Sequence, residues 1–420
     1  MYTFFNFAYI VNASNTDPLP INKFGLYMLK DMSVSAVVAG FVAILIGFSS
    51  SVSIIIQAAY AAGANAEIVI SWIMALGIGM GITSFGFSLY YRKAIITAWS
   101  TPGAALLVTS LTDVTYPEAI GIFIFSGVLT VFVGVSGLFQ KLMSIIPLPI
   151  ACAMLAGVLF QFGLAIFDSL ALDFYLVTIM LIGYLVAKRI YPRYAILIVL
   201  LLGLITVITT QKMAALELST SYFDLDGFIW TMPEWSLSVL LGVGLPLFVV
   251  TMTAQNMPGI VALKAHNINV SASPLITWTG ITTVILAPLG GFAFNLAAIT
   301  AAICMGEESH KDVDKRYIAG LSAGVFYCIA GLAGSSVVAL FIALPTTMVA
   351  ALAGLALLGT IGTNLKLAME EDATREAALV TFLVTISGVS FAGIASAFWG
   401  IVFGLICLLI TRWKKKKTNG

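Results

Sequence analysis

Charge is what this chain has least of. Only 9% of its 420 residues are Asp, Glu, Lys or Arg, against 60% hydrophobic. The mean hydropathy of +1.06 is more than a water-soluble domain of this length can carry. Acids and bases nearly balance, at a net +1, which leaves no basic face for nucleic acid. Histidines number two and cysteines four. Cys152, Cys304, Cys328 and Cys407 all lie inside apolar runs without CxxC spacing, which argues against a disulfide framework or a zinc site; they read as small buried hydrophobes. No nucleotide-binding Gly loop and no nucleophile triad occurs. The chain therefore reads as neither an enzyme nor an ATP-driven pump, and no cofactor or metal is expected.

What the chain does have is a succession of apolar runs, many near the 20 or so residues that cross a hydrocarbon core. Cutting at charged and Pro/Gly hinges gives 33–58, 67–89, 94–110, 118–139, 145–167, 174–187 and 194–210, then 235–263, 274–287, 289–306, 317–333, 337–358, 377–391 and 395–410. The expected fold is an all-α polytopic membrane protein with about fourteen transmembrane segments. Residues 1–32 lack the order of a signal peptide, because Asp17, Pro18 and Pro20 interrupt them and Lys23 and Lys30 follow; they read as a cytoplasmic segment. With that end inside, Arg92, Lys93, Lys141, Lys188, Arg189, Arg193, Lys264, Lys311, Lys315, Arg316, Lys366, Arg375 and Arg412 share one side and only Lys212 falls opposite, as the positive-inside rule demands. The basic tail 411–420, with Lys414 through Lys417, then reads as a cytoplasmic anchor on anionic headgroups. An external linker, 211–234, divides the chain into halves of opposite orientation, 33–210 and 235–410, the pattern of an inverted repeat in the inner (plasma) membrane.

The third span of each half is unusual. Ala94-Ile95-Ile96-Thr97-Ala98-Trp99 is β-branched and aromatic and leads into Ser100-Thr101-Pro102-Gly103. That predicts a short strand and then a half-helix, with Ser100 or Thr101 as N-cap and Pro102 in the first turn. The counterpart, Leu289-Gly290-Gly291-Phe292-Ala293-Phe294, leads into Asn295-Leu296-Ala297, with Asn295 as the expected cap. Two half-helix starts facing each other mid-membrane would favour an anion. Thr251, Thr253, Gln255 and Asn256, ahead of Pro258-Gly259, are placed beside them as hydrogen-bonding groups, with Gln57 and Gln161 as weaker candidates. Trp99, Phe292 and Phe294 could wall an aromatic ring. The expected substrate-binding set is Trp99, Ser100, Thr101, Gly103, Gln255, Asn256, Phe294, Asn295, Leu296 and Ala297. Every acid can be placed at a span end or in a loop. The coupled proton is expected to travel either on the substrate or on an acid at a span end; Glu307 and Glu308, after the C-terminal end of the second half-helix, are the candidate acids, because that dipole end disfavours their charged forms.

Ala39-Gly40-Phe41-Val42-Ala43 with Gln57-Ala58-Ala59, Trp99 through Leu106, Thr253-Ala254-Gln255-Asn256-Met257-Pro258-Gly259, and Asn295 through Cys304 resemble the benzoate membrane transport protein family, the benzoate/proton symporters. The resemblance spans nearly all of the chain after Asp31. It implies an architecture similar to uracil and xanthine permeases and to anion exchangers, with the first four spans of each half forming a core (33–139, 235–333) and the last three a gate (145–210, 337–410). Where uracil-type permeases carry acids, this chain has Gln255 and Asn256. The resemblance supplies the name benzoate; the residues themselves indicate a small anion. The implied partners are a small aromatic carboxylate, protons and the bilayer, and a homodimer is compatible. Two alternatives stay open: a permease for a nucleobase or other neutral solute, and a passive anion channel.

Overall fold

The computed structural model describes residues 31–139, 147–212, 227–307, 309–389, 391 and 395–415. Its first half holds α1 (Val34–Ala61), α2 (Ala66–Tyr91), β1 (Thr97–Trp99), α3 (Thr101–Ser110), α4 (Tyr116–Ser136), α5 (Leu148–Leu172), α6 (Phe174–Ile190) and α7 (Ala195–Thr209). The second holds α8 (Leu237–Ala265), α9 (Ala272–Leu286), β2 (Phe294–Leu296), α10 (Ile299–Met305), α11 (Tyr317–Leu332), α12 (Gly334–Ala343), α13 (Thr346–Met369), α14 (Arg375–Ile386) and α15 (Ser396–Lys415). Helix starts follow local chemistry. Ser33 caps α1, Asn65 caps α2 and Asp173 caps α6, while Thr115 and Glu118 close a capping box ahead of α4.

Among the described residues six helices are long and apolar enough to cross a membrane, or up to eight if each of two bent pairs is one span. The fold is thus that of a polytopic helical membrane protein. Length alone does not reach the expected fourteen, because α3 has 10 residues and α10 only 7. The expected span 337–358 is in fact two helices. α12 leaves α11 at a 62° bend and ends at Leu344, which is extended ahead of Pro345, before α13 begins. A residue preceding proline is driven out of the helical region, and this is where the run breaks.

α2 packs on α11, and α9 packs on α4. Both contacts are close because small residues line them: a Cβ on Gly81 would come within 2.7 Å of the Gly324 carbonyl, and one on Gly280 within 2.8 Å of Val131 N. α5 packs on α13, α6 on α7, α14 on α15. The partners repeat between halves: α2 with α11 as α9 with α4, α14 with α5 as α6 with α13, and α1 with α7 as α8 with α15.

Candidate functional site

The two short strands form one antiparallel ladder, with Thr97 opposite Leu296, Ala98 opposite Asn295 and Trp99 opposite Phe294. α3 starts at the Trp99 end. α10 starts beyond the Leu296 end, so both helix starts abut the same crossing. Extended backbone in an apolar interior needs partners for every N–H and C=O, and α2 supplies them from hydroxyls on one face. Ser84 Oγ accepts from Thr97 N at 2.9 Å, Ser88 Oγ accepts from Ile95 N and donates to Ile95 O, and Thr83 and Thr97 share a hydroxyl contact at 2.5 Å. On the other strand, Thr283 Oγ1 of α9 accepts from Phe294 N at 3.2 Å. Asn256 Oδ1 of α8 accepts from Leu296 N at 3.1 Å.

Ser100 is the N-cap of α3, its Oγ accepting from Gly103 N at 3.0 Å. Thr101 is the first helical residue, and Gly103 is buried. Asn295 is not a cap. It lies in β2, and α10 begins at Ile299 with Ala298 at the cap position and no side-chain cap bond. The physical reason is that the backbone of Asn295 is committed to Ala98 across the ladder, and its Nδ2 turns back to donate to Ala293 O at 2.8 Å. Strand pairing therefore runs past the point where a local cap signal would start a helix.

Trp99 is buried and makes an edge contact with Phe48 at 4.7 Å. Its Nε1 donates to Ser51 Oγ at 2.8 Å. Tyr327 lies beyond Phe48, hydrogen-bonded to Thr300 of α10. These α1 and α11 residues, Phe48, Ser51 and Tyr327, went unnoticed in the sequence; the run Ser49-Ser50-Ser51 inside an apolar stretch was the available signal. Phe292 belongs to a separate ring cluster with Trp72 and Phe123. Gln255 is half-buried in a π-helical turn of α8, Met252–Asn256, of a kind that recurs at functional sites. Asn256 is fully buried and engaged with Leu296 N and Met252 Sδ, so it braces the ladder. Leu296 is buried and packs against Gly259, and Ala297 is buried with its N–H on Ile96 O. Gln161 is exposed on α5. Several buried polar atoms find no partner among the described residues: Ser53 Oγ, Gln57 Nε2, Thr251 Oγ1, Asn295 Oδ1 and Ser335 Oγ.

Glu307 is exposed just past α10, and Glu308 lies outside the described residues. The C-terminal carbonyls of α10 are already satisfied, Met305 O by Arg316 at 2.7 Å and Cys304 O by Ser309 Oγ at 2.7 Å. A cation thus stands at the helix end whose dipole was the ground for choosing Glu307.

Broken spans meeting at a strand crossing inside a helical membrane bundle are a build that many transporters share. The fold is similar to the transmembrane domain of a cyanobacterial bicarbonate transporter, BicA, with a TM-score of 0.53 at 14% identity over 90% of this chain and 96% of that one. It is similar also to murine Slc26a9, an anion transporter in its inward-facing state, with a TM-score of 0.58 at 10% identity over 98% and 75%. The expected likeness to uracil and xanthine permeases finds no support in these neighbours. A family model for the benzoate membrane transport protein matches residues 30–410, and the chain belongs to that family. It is 45% identical over 372 residues to the inner membrane protein YdcO of Escherichia coli, covering 89% of this chain and 94% of the relative. It is 43% identical over 384 residues to the benzoate membrane transport protein of Acinetobacter baylyi, covering 91% and 96%. The chain is a multi-pass inner-membrane transporter.

Proposed function

We propose that this transporter imports benzoate or a similar small aromatic carboxylate together with protons, as a secondary active carrier. The observation that carries the reading is the crossing of β1 and β2. It carries Trp99, edge-on to Phe48 and bonded to Ser51, beside the Ser100 cap, with the π-helical turn that holds Gln255 packed against β2, and no Asp, Glu, Lys or Arg lies in β1, β2, α3 or α10. The Trp99–Phe48 pair suits a ring, and the Acinetobacter relative's name supplies benzoate.

The motion is alternating access of a core, α1–α4 with α8–α11, against a gate, α5–α7 with α13–α15, as an inverted repeat of seven plus seven passes. α12 links the two on one side. Two observations support this division. Contact partners correspond between the halves. Among the described residues, ion pairs and close glycine approaches run inside one set or to the segments that join them: Arg92–Asp31 and Gly77–Gly331 inside the core, Lys212–Asp173 and Gly354–Phe162 inside the gate. Both termini face the cytoplasm in this reading. It is supported by the convergence of three separate loops, where Lys93, His266 and Arg316 line one cleft and Lys315 and Arg92 approach Asp31.

The test is labelled benzoate uptake by proteoliposomes under an inward proton gradient. Saturable uptake, counterflow by internal benzoate, and competition by ring-bearing acids rather than uracil are expected. Competition by uracil and not benzoate would reassign the site to a neutral nucleobase. Current proportional to driving force without counterflow would make it a channel.

A further inference from the structure

The crossing carries a buried acceptor that an anion cannot satisfy, and the first turn of α3 has little left to offer one. In the first turn of α3, Pro102 has no N–H, Gly103 N is taken by Ser100 Oγ, and Ala104 N by Ser100 O at 2.8 Å. Only the Thr101 N–H is left among them. α10 is a 7-residue helix, too short to make a strong anion site. Asn295 is 0% exposed, and its Oδ1 has no partner. The amide cannot be flipped without loss, because Nδ2 is the atom that donates to Ala293 O at 2.8 Å. What points outward from Asn295 is therefore an acceptor.

The ladder also tells which way that acceptor faces. Residues opposite each other in an antiparallel pair share a face, so Asn295 shares one with Ala98, and Thr97, Trp99, Phe294 and Leu296 share the other. Thr97 and Phe294 face α2, through Thr83 and Gly79. Ala98 is the one residue of β1 that is not fully buried. Asn295 thus stands on the ladder face turned away from α2, the face it shares with Ala98.

Resting on the carboxylate reading above, we propose that the cargo binds as the undissociated acid, its O–H donating to Asn295 Oδ1, so that the coupled proton travels on the substrate. The carboxylate takes a proton from water on the entry side, crosses as the neutral acid, and releases that proton to water on the other side. One proton and one carboxylate move per cycle, and no net charge crosses. An ionised carboxylate would set lone pairs against a buried amide oxygen, with no cation nearby to offset its desolvation. The ionisable side chains on the elements packed against β2 stand at helix ends: Glu67, Tyr90 and Tyr91 on α2, Lys264 on α8, and none on α9 or β1. No side chain there competes for the proton.

The test is equilibrium binding to the purified full chain as a function of pH, with three probes. Benzoate affinity is expected to fall about tenfold per pH unit above the acid's own pKa, near the ordinary carboxylate value of about 4. Benzamide, uncharged at every pH and carrying an N–H donor, should bind with no pH dependence, whereas methyl benzoate, which has no donor, should bind at least tenfold more weakly than benzamide. In Asn295→Leu the preference for benzamide over methyl benzoate should vanish, while Asn295→Ser, which keeps an oxygen acceptor, should retain part of it. A merely structural Asn295 would weaken all three probes alike. Benzoate affinity that is flat from pH 5 to 8, or equal binding of the two neutral probes to the unaltered protein, overturns the proposal and leaves the carboxylate carrier standing. Failure to bind benzoate at any pH removes the carrier reading itself.

Discussion

Ala293 adopts φ 46° immediately before β2, a left-handed conformation that costs a residue with a Cβ about 1–2 kcal/mol. Its carbonyl is the acceptor that orients Asn295, so the strained residue fixes the direction of the orphaned oxygen. Ala293→Gly should relieve the strain and raise stability by roughly 0.5–1 kcal/mol, less the entropy that glycine adds to the unfolded chain; thermal unfolding of purified protein checks this, and a lower midpoint would mean that the left-handed geometry is not held. Gly103 matters for the opposite reason. A Cβ there would sit 2.8 Å from both Leu247 Cδ1 and Ser100 Oγ, crowding the cap and the contact of α3 with α8. Gly103→Ala is expected to cost about 1 kcal/mol or more, and Leu247→Ala in the same chain should restore only the packing share. Ser100 as a cap was legible in the sequence because Ser-Thr-Pro is a local signal with a local cause. Asn295 was misread because the same kind of signal was outcompeted by a strand partner almost two hundred residues away, which no local pattern reveals.

At the scale of elements, the strand segments survive in an apolar interior only because α2, α8 and α9 present hydroxyls and an amide to them. Thr83, Ser84 and Ser88 look like ordinary small polar residues in a membrane helix, and their role appears only once β1 is laid alongside. The half-helix of the first repeat, and the pairing of unusual third spans, were readable from β-branched residues followed by a cap and Pro102. The join of the two strands into one ladder was not, because pairing register is a property of two distant segments. α2 and α11 approach so closely that a Cβ on Gly77 would meet the backbone of Gly331. Backbone cannot yield as a flexible side chain can. Gly77→Val should therefore cost at least the 1–3 kcal/mol typical of overpacking, lowering the unfolding temperature markedly, whereas Gly86→Val, with nothing within 4 Å of its added Cβ, should leave it nearly unchanged. Equal effects at the two positions would show that α2 and α11 do not meet as described.

At the scale of the whole molecule, a carrier must hold two bodies rigid while their contact stays mobile, and small residues are where that difference becomes visible. Glycines that bring backbones or β-carbons within 3 Å interlock α2 with α11, α4 with α9, and α5 with α13 and α14. The contacts between sets, such as α1 with α13 and α3 with α5, show no such interlock among the described residues. Sliding at an interface without interdigitated backbone sacrifices dispersion contacts that re-form in the new register, whereas sliding α2 past α11 would drive Gly77 into Gly331. In the sequence, the division of each half into a core and a gate rests on resemblance alone, and what bears on it physically is which helices touch. It is testable by covalent restraint. A cysteine pair inside the gate, Gly400→Cys with Thr385→Cys, where a Cβ on Gly400 would lie 3.5 Å from Thr385 Cβ, within the range a disulfide spans, should cross-link with benzoate uptake retained. Pairs scanned along the contact of α1 with α13 should abolish uptake when oxidised and recover it on reduction. Uptake that persists with α1 and α13 bridged would show that the bodies do not move against each other there, and the alternating-access reading would fall while the site at the crossing stood.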